Sequence, residues 1–550
     1  MIGHVKKGSF PAHLLNTDTA QSINGHFSTV GSAIYHEISE LNYPLPDFLS
    51  ETVYYPKFTL KPVSVELIAE LITKLKKSSS LGIDGISASY LIDSLPVTAF
   101  PLTQIINLSL TTNTVPDIWK TSIIRPIHKG GDYTGPNCRP VAILPNPSKL
   151  AERVAALQLI DHLENNKILN KHQFGFRRKC GTGNAISFIS ERLFTALDTH
   201  KISLLVLLDL SKAFDAIPHD LLIKILNHYN IDSNWFQSYL SNRNHFTQLS
   251  KDIRSEKLNC SFGVPQGSIL GPLLFTLFIN EIKYFISKFT NPDIDIEVVS
   301  YADDSQLLFI ANPNVPTSLI LEYASHVTNE LIDWYYSLFM KINISKTAVM
   351  WVASRHQLLK IKAENLNFPL KGEQIKLSDS VLNLGVHFDS DMKFKTHINK
   401  LYSKVHFTLS KINKVRSLLT HDSRHLLVNS LAFSKLNHAR EVWGCLSREQ
   451  NGLLTKLMNF GAKIVYLRNK YDHASDLIVE LGWLSPDKSS LYFLGLGGYK
   501  NFYQINNPNI TKPFEFIFRK KGSLARATYP MFLQVCIHNI LGYGGTQKRF

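Results

Sequence analysis

The sequence is poor in the residues that cross-link or anchor a protein. Five cysteines (Cys138, Cys180, Cys260, Cys445 and Cys536) are spread over 550 residues, odd in number and never spaced C-x-x-C. That argues against a disulfide framework and a structural zinc site, and it fits a reducing compartment. No apolar run is long enough to span a bilayer. The opening Met1-Ile-Gly-His-Val-Lys-Lys7 has no apolar core of the signal-peptide kind, so a soluble intracellular protein is expected. Acidic residues are also scarce. Against 59 Lys and Arg there are 44 Asp and Glu, a formal net charge of +15 and a pI near 9.3. A surplus of that size favours a polyanionic partner, nucleic acid before a membrane. There are no internal repeats. A composition 44% hydrophobic and 11% aromatic is that of a folded chain, and the length makes two or three domains the expectation.

What the sequence does have is centred on Tyr301-Ala-Asp-Asp304. Apolar and β-branched runs flank this tetrapeptide and read as a β-hairpin. Asp tolerates the positive φ of a tight turn, so the tip is expected to present two adjacent carboxylates. Carboxylates that close raise each other's pKa unless a cation neutralises them. Ordinary turn chemistry explains the pair equally well until a third carboxylate appears. It appears at the end of Leu204-Leu-Val-Leu-Leu-Asp209, a near-continuous apolar run that fits a buried strand. A charge there needs a partner. The candidates are a metal shared with Asp303 and Asp304, an ion pair with Lys212, and a cap for the following helix.

Around these carboxylates lie segments with nucleotide-binding chemistry. A strand closing on Lys129 and a second one through Asn137-Cys-Arg139 would form a basic finger able to grip a triphosphate, Arg bidentately and Lys as a point charge. The loop Gly263-Val-Pro-Gln-Gly267 places Gln266 where a base can approach the backbone closely, and an apolar helix follows. Gln173-Phe-Gly-Phe-Arg-Arg-Lys179 interleaves basic and aromatic residues, which suits a nucleic-acid strand. Residues 393–424 hold eight Lys or Arg and one acid, with Ile398, Leu401, Val405, Leu409 and Ile412 at helical spacing, a pattern suited to a duplex backbone. His421 and His425 lack a third ligand and read as structural. Helices are also expected from Ser64 and from Pro147 to about Asn165. Residues 1 to about 58 show no long periodic segment.

Taken in order, the motifs resemble the reverse transcriptase of a non-LTR (LINE-type, jockey-like) retrotransposon. The resemblance is carried by Asn137-Cys-Arg-Pro140, Gln173-Phe-Gly-Phe-Arg177, Asp209-Leu-Ser-Lys-Ala-Phe-Asp215, Gly263-Val-Pro-Gln-Gly-Ser-Ile-Leu-Gly-Pro272, Tyr301-Ala-Asp-Asp304, Asn343-Ile-Ser-Lys-Thr347 and Leu384-Gly-Val-His-Phe-Asp389, over roughly residues 60–480. It implies an α+β right-hand polymerase with fingers, a palm built on an antiparallel sheet, and a helical thumb. The expected divisions are an N-terminal linker or partial domain over 1–58, fingers and palm over 59–390, a basic helical thumb over 391–480 and a short C-terminal region over 481–550.

The implied activity is RNA-directed DNA synthesis, a two-metal nucleotidyl transfer from dNTP to a primer 3′-OH. Asp209, Asp303, Asp304 and the carbonyl of Leu210 would hold Mg²⁺, with Mn²⁺ as the alternative. Lys129 and Arg139 would bind the triphosphate, Gln266 and Gly267 would shape the nucleotide pocket, and Lys346 would be a proton donor or a phosphate contact. Phe214 falls where such polymerases meet the sugar, so its ring would exclude a ribose 2′-OH. RNA-making relatives place Asp at that step. The implied partners are an RNA template, a DNA primer or target DNA and dNTPs, in a ribonucleoprotein of nucleus and cytoplasm, with no membrane. Cys138 stands where the family usually has an aromatic, and Ile83 where it has Pro. Nothing here matches the endonuclease that normally precedes the polymerase, so that activity is expected to be separate or missing. The alternative is a non-catalytic or domesticated relic that binds RNA.

Overall fold

Two four-stranded sheets organise the chain in the computed structural model, which describes residues 10–50, 54–364 and 366–502. Residues 1–9 and 51–53 of the expected N-terminal segment, and 503–550 of the expected C-terminal region, lie outside the described residues. The strands are β1 (Thr121–His128), β2 (Cys138–Ile143), β3 (Ile202–Asp209), β4 (Arg243–Thr247), β5 (Leu258–Cys260), β6 (Ile294–Tyr301), β7 (Asp304–Ala311) and β8 (Ala348–Val352). The first sheet has the order β2-β1-β4-β5 and contains the expected basic hairpin β1–β2. The second is wholly antiparallel, in the order β6-β7-β3-β8. This is the palm sheet of the expected α+β right-hand architecture.

β3 is covered on both faces, which is why it reads as an unbroken apolar run and not as an alternation. Leu204, Val206 and Leu208 enter one core with the helices Gly271–Phe278 and Thr317–Ser337. Leu205 enters a second core with the helices Thr182–Asp198 and Lys395–Lys414. Asp209 continues the odd-numbered face and emerges at its edge. Ile398, Leu401, Val405, Leu409 and Ile412 are the buried stripe of the Lys395–Lys414 helix, as their spacing predicts. Of the surrounding cations, Lys395, Lys400, Lys404, Lys411 and Lys414 are exposed. Arg424 is not part of this basic face. It is 7% exposed and donates to the carbonyls of Val465 (2.7 Å) and Leu419 (2.6 Å), fastening the turn after the helix. His425 stacks on Trp483 and His421 lies edge-on to Tyr466, in keeping with a structural reading. No helix among the described residues is long and apolar enough to cross a membrane.

The N-terminal reading is corrected. Thr17–Ser39 is a 23-residue helix, capped by the Asn16 side chain, which accepts from the Thr19 N–H (2.8 Å). Its buried stripe is Ala20, Ile23, Asn24, Phe27, Gly31, Ile34 and Ile38, a regular helical repeat hidden by the small and polar members at 24 and 31. Asn24 is satisfied between the Glu256 carbonyl and the Thr247 hydroxyl. A Cβ at Gly31 would overlap the Asp215 carbonyl, so the helix lies directly on the short Ala213–Ala216 turn of helix.

Two histidines make this fold acid-sensitive. Burial, with Lys283 as the next cause, pushes His172 down to about 4. Burial, then His387 and His438, does the same for His397, also to about 4. Depressed values mean that the folded chain binds fewer protons than the unfolded one between pH 6.5 and about 4. Stability is therefore full above that window and lost as pH falls through it, by an amount on the order of 3 kcal/mol per ring. Carboxyls held above their usual range, Asp304 foremost, pull the other way in the same window, so the measurement is a difference: the loss in urea midpoint from pH 7 to 4 should be larger in the parent than in His172→Phe. Equal losses would mean that the ring is not held neutral.

Candidate active site

Three carboxylates meet at the end of β3. Asp209 is the ladder partner of Asp304, the first residue of β7. The Asp209 carbonyl accepts from the Asn343 N–H (2.8 Å) and the Ser211 N–H donates to the Lys341 carbonyl (2.7 Å), so the backbone of Asp209 faces away from β7. Asp209 and Asp304 are then a non-hydrogen-bonded pair, the arrangement that brings facing side chains closest. The same alternation turns the backbone of Leu210 toward the β7 side, beyond the last rung. Asp303 shares the two-residue turn with Ala302. The expectation that an Asp takes the positive φ is corrected: Ala302 does, at +56°. A non-glycine residue there costs roughly 1–2 kcal/mol, and Asp304 is left aligned with the ladder.

The carboxylates repel one another. Burial first, and then the Asp209 charge, pushes Asp303 up. Asp304 is pushed up to about 6 by burial, Asp303 and Asp209 in that order. Lys346, at the end of the Ile344–Lys346 turn, places Nζ 3.0 Å from Asp209 Oδ2. The alternative partner Lys212 donates instead to the Pro136 carbonyl (3.4 Å). Among the described residues no group of three or more His, Cys, Asp or Glu is placed to hold a metal ion. The donor set still fits a hard divalent cation. It is all oxygen, it carries uncompensated repulsion, and it leaves coordination positions for substrate oxygens.

Facing the carboxylates is a group of cations. Burial first, then the charges of Lys212, Arg139 and Lys346, lowers the Lys129 pKa, which places the four near one another. Arg139 is exposed on β2 opposite Ile127, and its charge reaches Asp303. Acids on one side and bases on the other suit a polyphosphate carried with a cation.

The Gln266 loop is pinned from two sides. Gln266 Nε2 donates to both carboxylate oxygens of Asp215 at 2.8 Å, and the Gln266 carbonyl accepts from the Ala142 N–H (2.7 Å). Gly267 has φ +117°, and a Cβ there would lie 2.7 Å from the Ala142 carbonyl, so only glycine fits. The side chain of Gln266 is thus committed to Asp215, a residue to which the sequence pattern assigns no role. Phe214 is fixed beside them, stacked on Phe275 (4.7 Å, 27°) and edge-on to Phe176 (5.9 Å, 90°).

Sequence reasoning also missed Glu152. It is 1% exposed on the helix Asn146–Asn165, and its Oε2 accepts from the N–H groups of Ile269 (2.7 Å) and Leu270 (3.2 Å) at the entry to the helix Gly271–Phe278. Burial pushes its carboxyl up, against the charge of Arg243. Glu152→Ala would strand those donors and the Arg243 charge, lowering stability by about 3 kcal/mol and loosening the loop. Glu152→Gln keeps an acceptor and should lose less than half of that in urea unfolding. Equal losses would show that the carboxylate is not the loop's anchor.

In the basic and aromatic segment that starts at Gln173, residues 173–175 and 177 turn inward, while Arg178 and Lys179 are exposed. Gln173, Phe174 and Arg177 are buried, and the Arg177 guanidinium binds both oxygens of Glu164 (2.9 and 2.5 Å). Arg178 pairs with Asp161. Only Phe176, 47% exposed, remains available as an aromatic face.

Residues 127–388, which include every candidate site residue, match the family model described as reverse transcriptase (RNA-dependent DNA polymerase). The chain is 27% identical over 423 residues to the probable RNA-directed DNA polymerase from transposon BS of Drosophila melanogaster, covering 74% of this chain and 45% of that protein. It is 25% identical to the RNA-directed DNA polymerase from mobile element jockey of the same organism, covering 64% and 38%. It is 28% identical to the retrovirus-related Pol polyprotein from type-1 retrotransposable element R2 of Popillia japonica, covering 48% and 37%. The chain therefore spans less than half the length of each of these relatives.

Proposed function

We propose, from the premise that this chain carries a reverse transcriptase domain of the non-LTR retrotransposon type, that it is itself an RNA-directed DNA polymerase transferring nucleotides from dNTP to a primer 3′-OH. The observation that carries the reading is the pairing of Asp209 with Asp304 across the palm ladder, with Asp303 at the turn and Lys129, Arg139, Lys212 and Lys346 opposite. Asp209, Asp303, Asp304 and the Leu210 carbonyl would hold Mg²⁺, or Mn²⁺ in its place. When bound, such cations supply the charge that makes the primer hydroxyl a nucleophile and offsets the leaving pyrophosphate.

The chain's own residues do the rest. Lys129 and Arg139 draw the triphosphate toward the carboxylates. Lys346 neutralises Asp209 in the substrate-free chain and is freed for a phosphate oxygen, or to give up its proton, once Asp209 has another partner. Asp215 holds Gln266 so that the loop forms a fixed wall, and Gly267 keeps that wall against β2. The ring of Phe214 closes the sugar side.

The exposed cations of the Lys395–Lys414 helix suit the backbone of an RNA template paired with a DNA primer or target strand. The working form would be a ribonucleoprotein of nucleus and cytoplasm. Primer extension on an RNA template with dNTPs and Mg²⁺ tests the proposal. Incorporation by the parent chain and its loss in Asp303→Asn support it. A folded parent that binds RNA and extends nothing would instead be a non-catalytic relic.

A further inference from the structure

We infer that Gln173 is a positioning residue for the carboxylates, acting through the Ala302–Asp303 turn; this rests on the polymerase reading above. Gln173 is 3% exposed. Its Oε1 accepts from two amides, Gly175 N–H (2.8 Å) and Ala302 N–H (3.1 Å), and its Nε2 reaches the Ala302 carbonyl at 3.5 Å. One side chain therefore holds both polar groups of the single strained residue in the turn. Ala302 is 5% exposed, so its amide has no water to fall back on.

The backbone around Gln173 is placed for this task. Phe174 N–H donates to the Ser300 carbonyl and Ser300 N–H to the His172 carbonyl, both at 2.9 Å. The segment thus lies along β6, the outer strand of the palm sheet. A Cβ at Gly175 would overlap the Ala302 amide nitrogen, so glycine there permits the close approach. Arg177, fixed by Glu164, donates to the carbonyls of Asn170 (2.9 Å) and Gln173 (3.5 Å), which stiffens the segment from behind.

The clamp matters because two of the three carboxylates come directly after Ala302 in the chain. The 302–303 peptide sets the direction in which Asp303 leaves the turn and the register in which Asp304 enters the ladder opposite Asp209. Without the Gln173 acceptor, Ala302 is free to leave the left-handed region and take the carboxylates with it. A shift of about 1 Å at a reacting centre is enough to cost roughly 100-fold in rate.

The test uses Gln173→Met, which keeps the volume and removes the acceptor, Gln173→Glu, which keeps the acceptor, and Ala302→Gly, which makes the left-handed turn free of strain. Three readouts are taken on the full chain: primer extension split into kcat and KM for dNTP, Mn²⁺ affinity by electron paramagnetic resonance without substrate, and thermal unfolding. Gln173→Met should lower kcat about 100-fold with KM changed less than about 3-fold, and weaken Mn²⁺ binding, while the folded fraction at assay temperature stays that of the parent. Gln173→Glu should restore most of both. In the Ala302→Gly background the loss from Gln173→Met should shrink to roughly 10-fold, since glycine needs no clamp to stay in the turn. Parent-like kcat and Mn²⁺ affinity in Gln173→Met, or a loss unchanged by Ala302→Gly, overturns the inference. If the parent extends no primer, the polymerase reading fails while the Mn²⁺ titration still decides the clamp. A parent that binds no Mn²⁺ overturns both.

Discussion

Asp304→Asn should reduce RNA-templated dNTP incorporation by roughly 1000-fold or more, about 4 kcal/mol of barrier, while making the metal-free protein more stable. The two effects have one cause. Asp304 sits opposite Asp209 and next to Asp303, and its carboxyl is pushed up to about 6 by burial and by those neighbours. A raised folded value means that ionising this group above pH 4 works against the fold. Removing the charge relieves that repulsion, by about 1–2 kcal/mol once solvent screening is allowed for. Asp209→Asn should match the loss of activity. It differs in stability, because it leaves the Lys346 ammonium without its partner at 3.0 Å. Primer extension and calorimetry on the same preparations check both halves. Retained activity in Asp304→Asn would remove the carboxylates from the chemistry. A fall in its melting temperature would remove the repulsion argument.

The candidate site was legible where its residues are forced by chain chemistry that shows in one dimension. Asp209 closes an apolar run that only a doubly covered strand can contain, and the Asp303–Asp304 pair interrupts a hairpin whose arms are β-branched and aromatic. The Lys395–Lys414 helix announced its buried stripe residue by residue. The less legible parts owe their roles to neighbours far along the chain. Asp215 is fixed by Gln266, 51 residues away, and Glu152 by amides 117 and 118 residues away. No local pattern encodes such a pairing.

The segment 173–177 misled for a related reason. Basic and aromatic residues side by side are the composition of a nucleic-acid surface, but Glu164 and Ser300 take them into the interior. The Thr17–Ser39 helix was hidden differently. Its stripe uses Asn24 and Gly31 where a core helix ordinarily shows aliphatics, since Asn24 bonds across to Thr247 and Gly31 has to clear the backbone of Asp215. A search for the repeat itself, indifferent to which residues fill it, would have found the helix.

Phe214→Val should cut the preference for dNTP over NTP by roughly 100-fold, the size expected when a wall that excludes one hydroxyl is removed. The ring follows the Asp209 strand by five residues and is held on its face by Phe275 and on its edge by Phe176. A side chain braced in two directions would not swing aside for a 2′-OH, so on the proposed reading discrimination by exclusion would come from the packing and need no polar contact to the sugar. The same packing sets the side effect, a stability loss of about 1–2 kcal/mol for the partly buried ring. It also supplies the control. Phe275→Leu leaves Phe214 in place but removes the stacked face at 4.7 Å, and it should lower discrimination by a smaller factor while leaving kcat for dNTP nearly intact. The ratio of kcat/KM for a dNTP and its matching NTP, measured on an RNA template, reads each effect directly. If Phe214→Val leaves that ratio where the parent has it, the ring lines the core and not the sugar pocket, and selection for deoxyribose has to come from the Gln266 side, where Asp215 holds the loop.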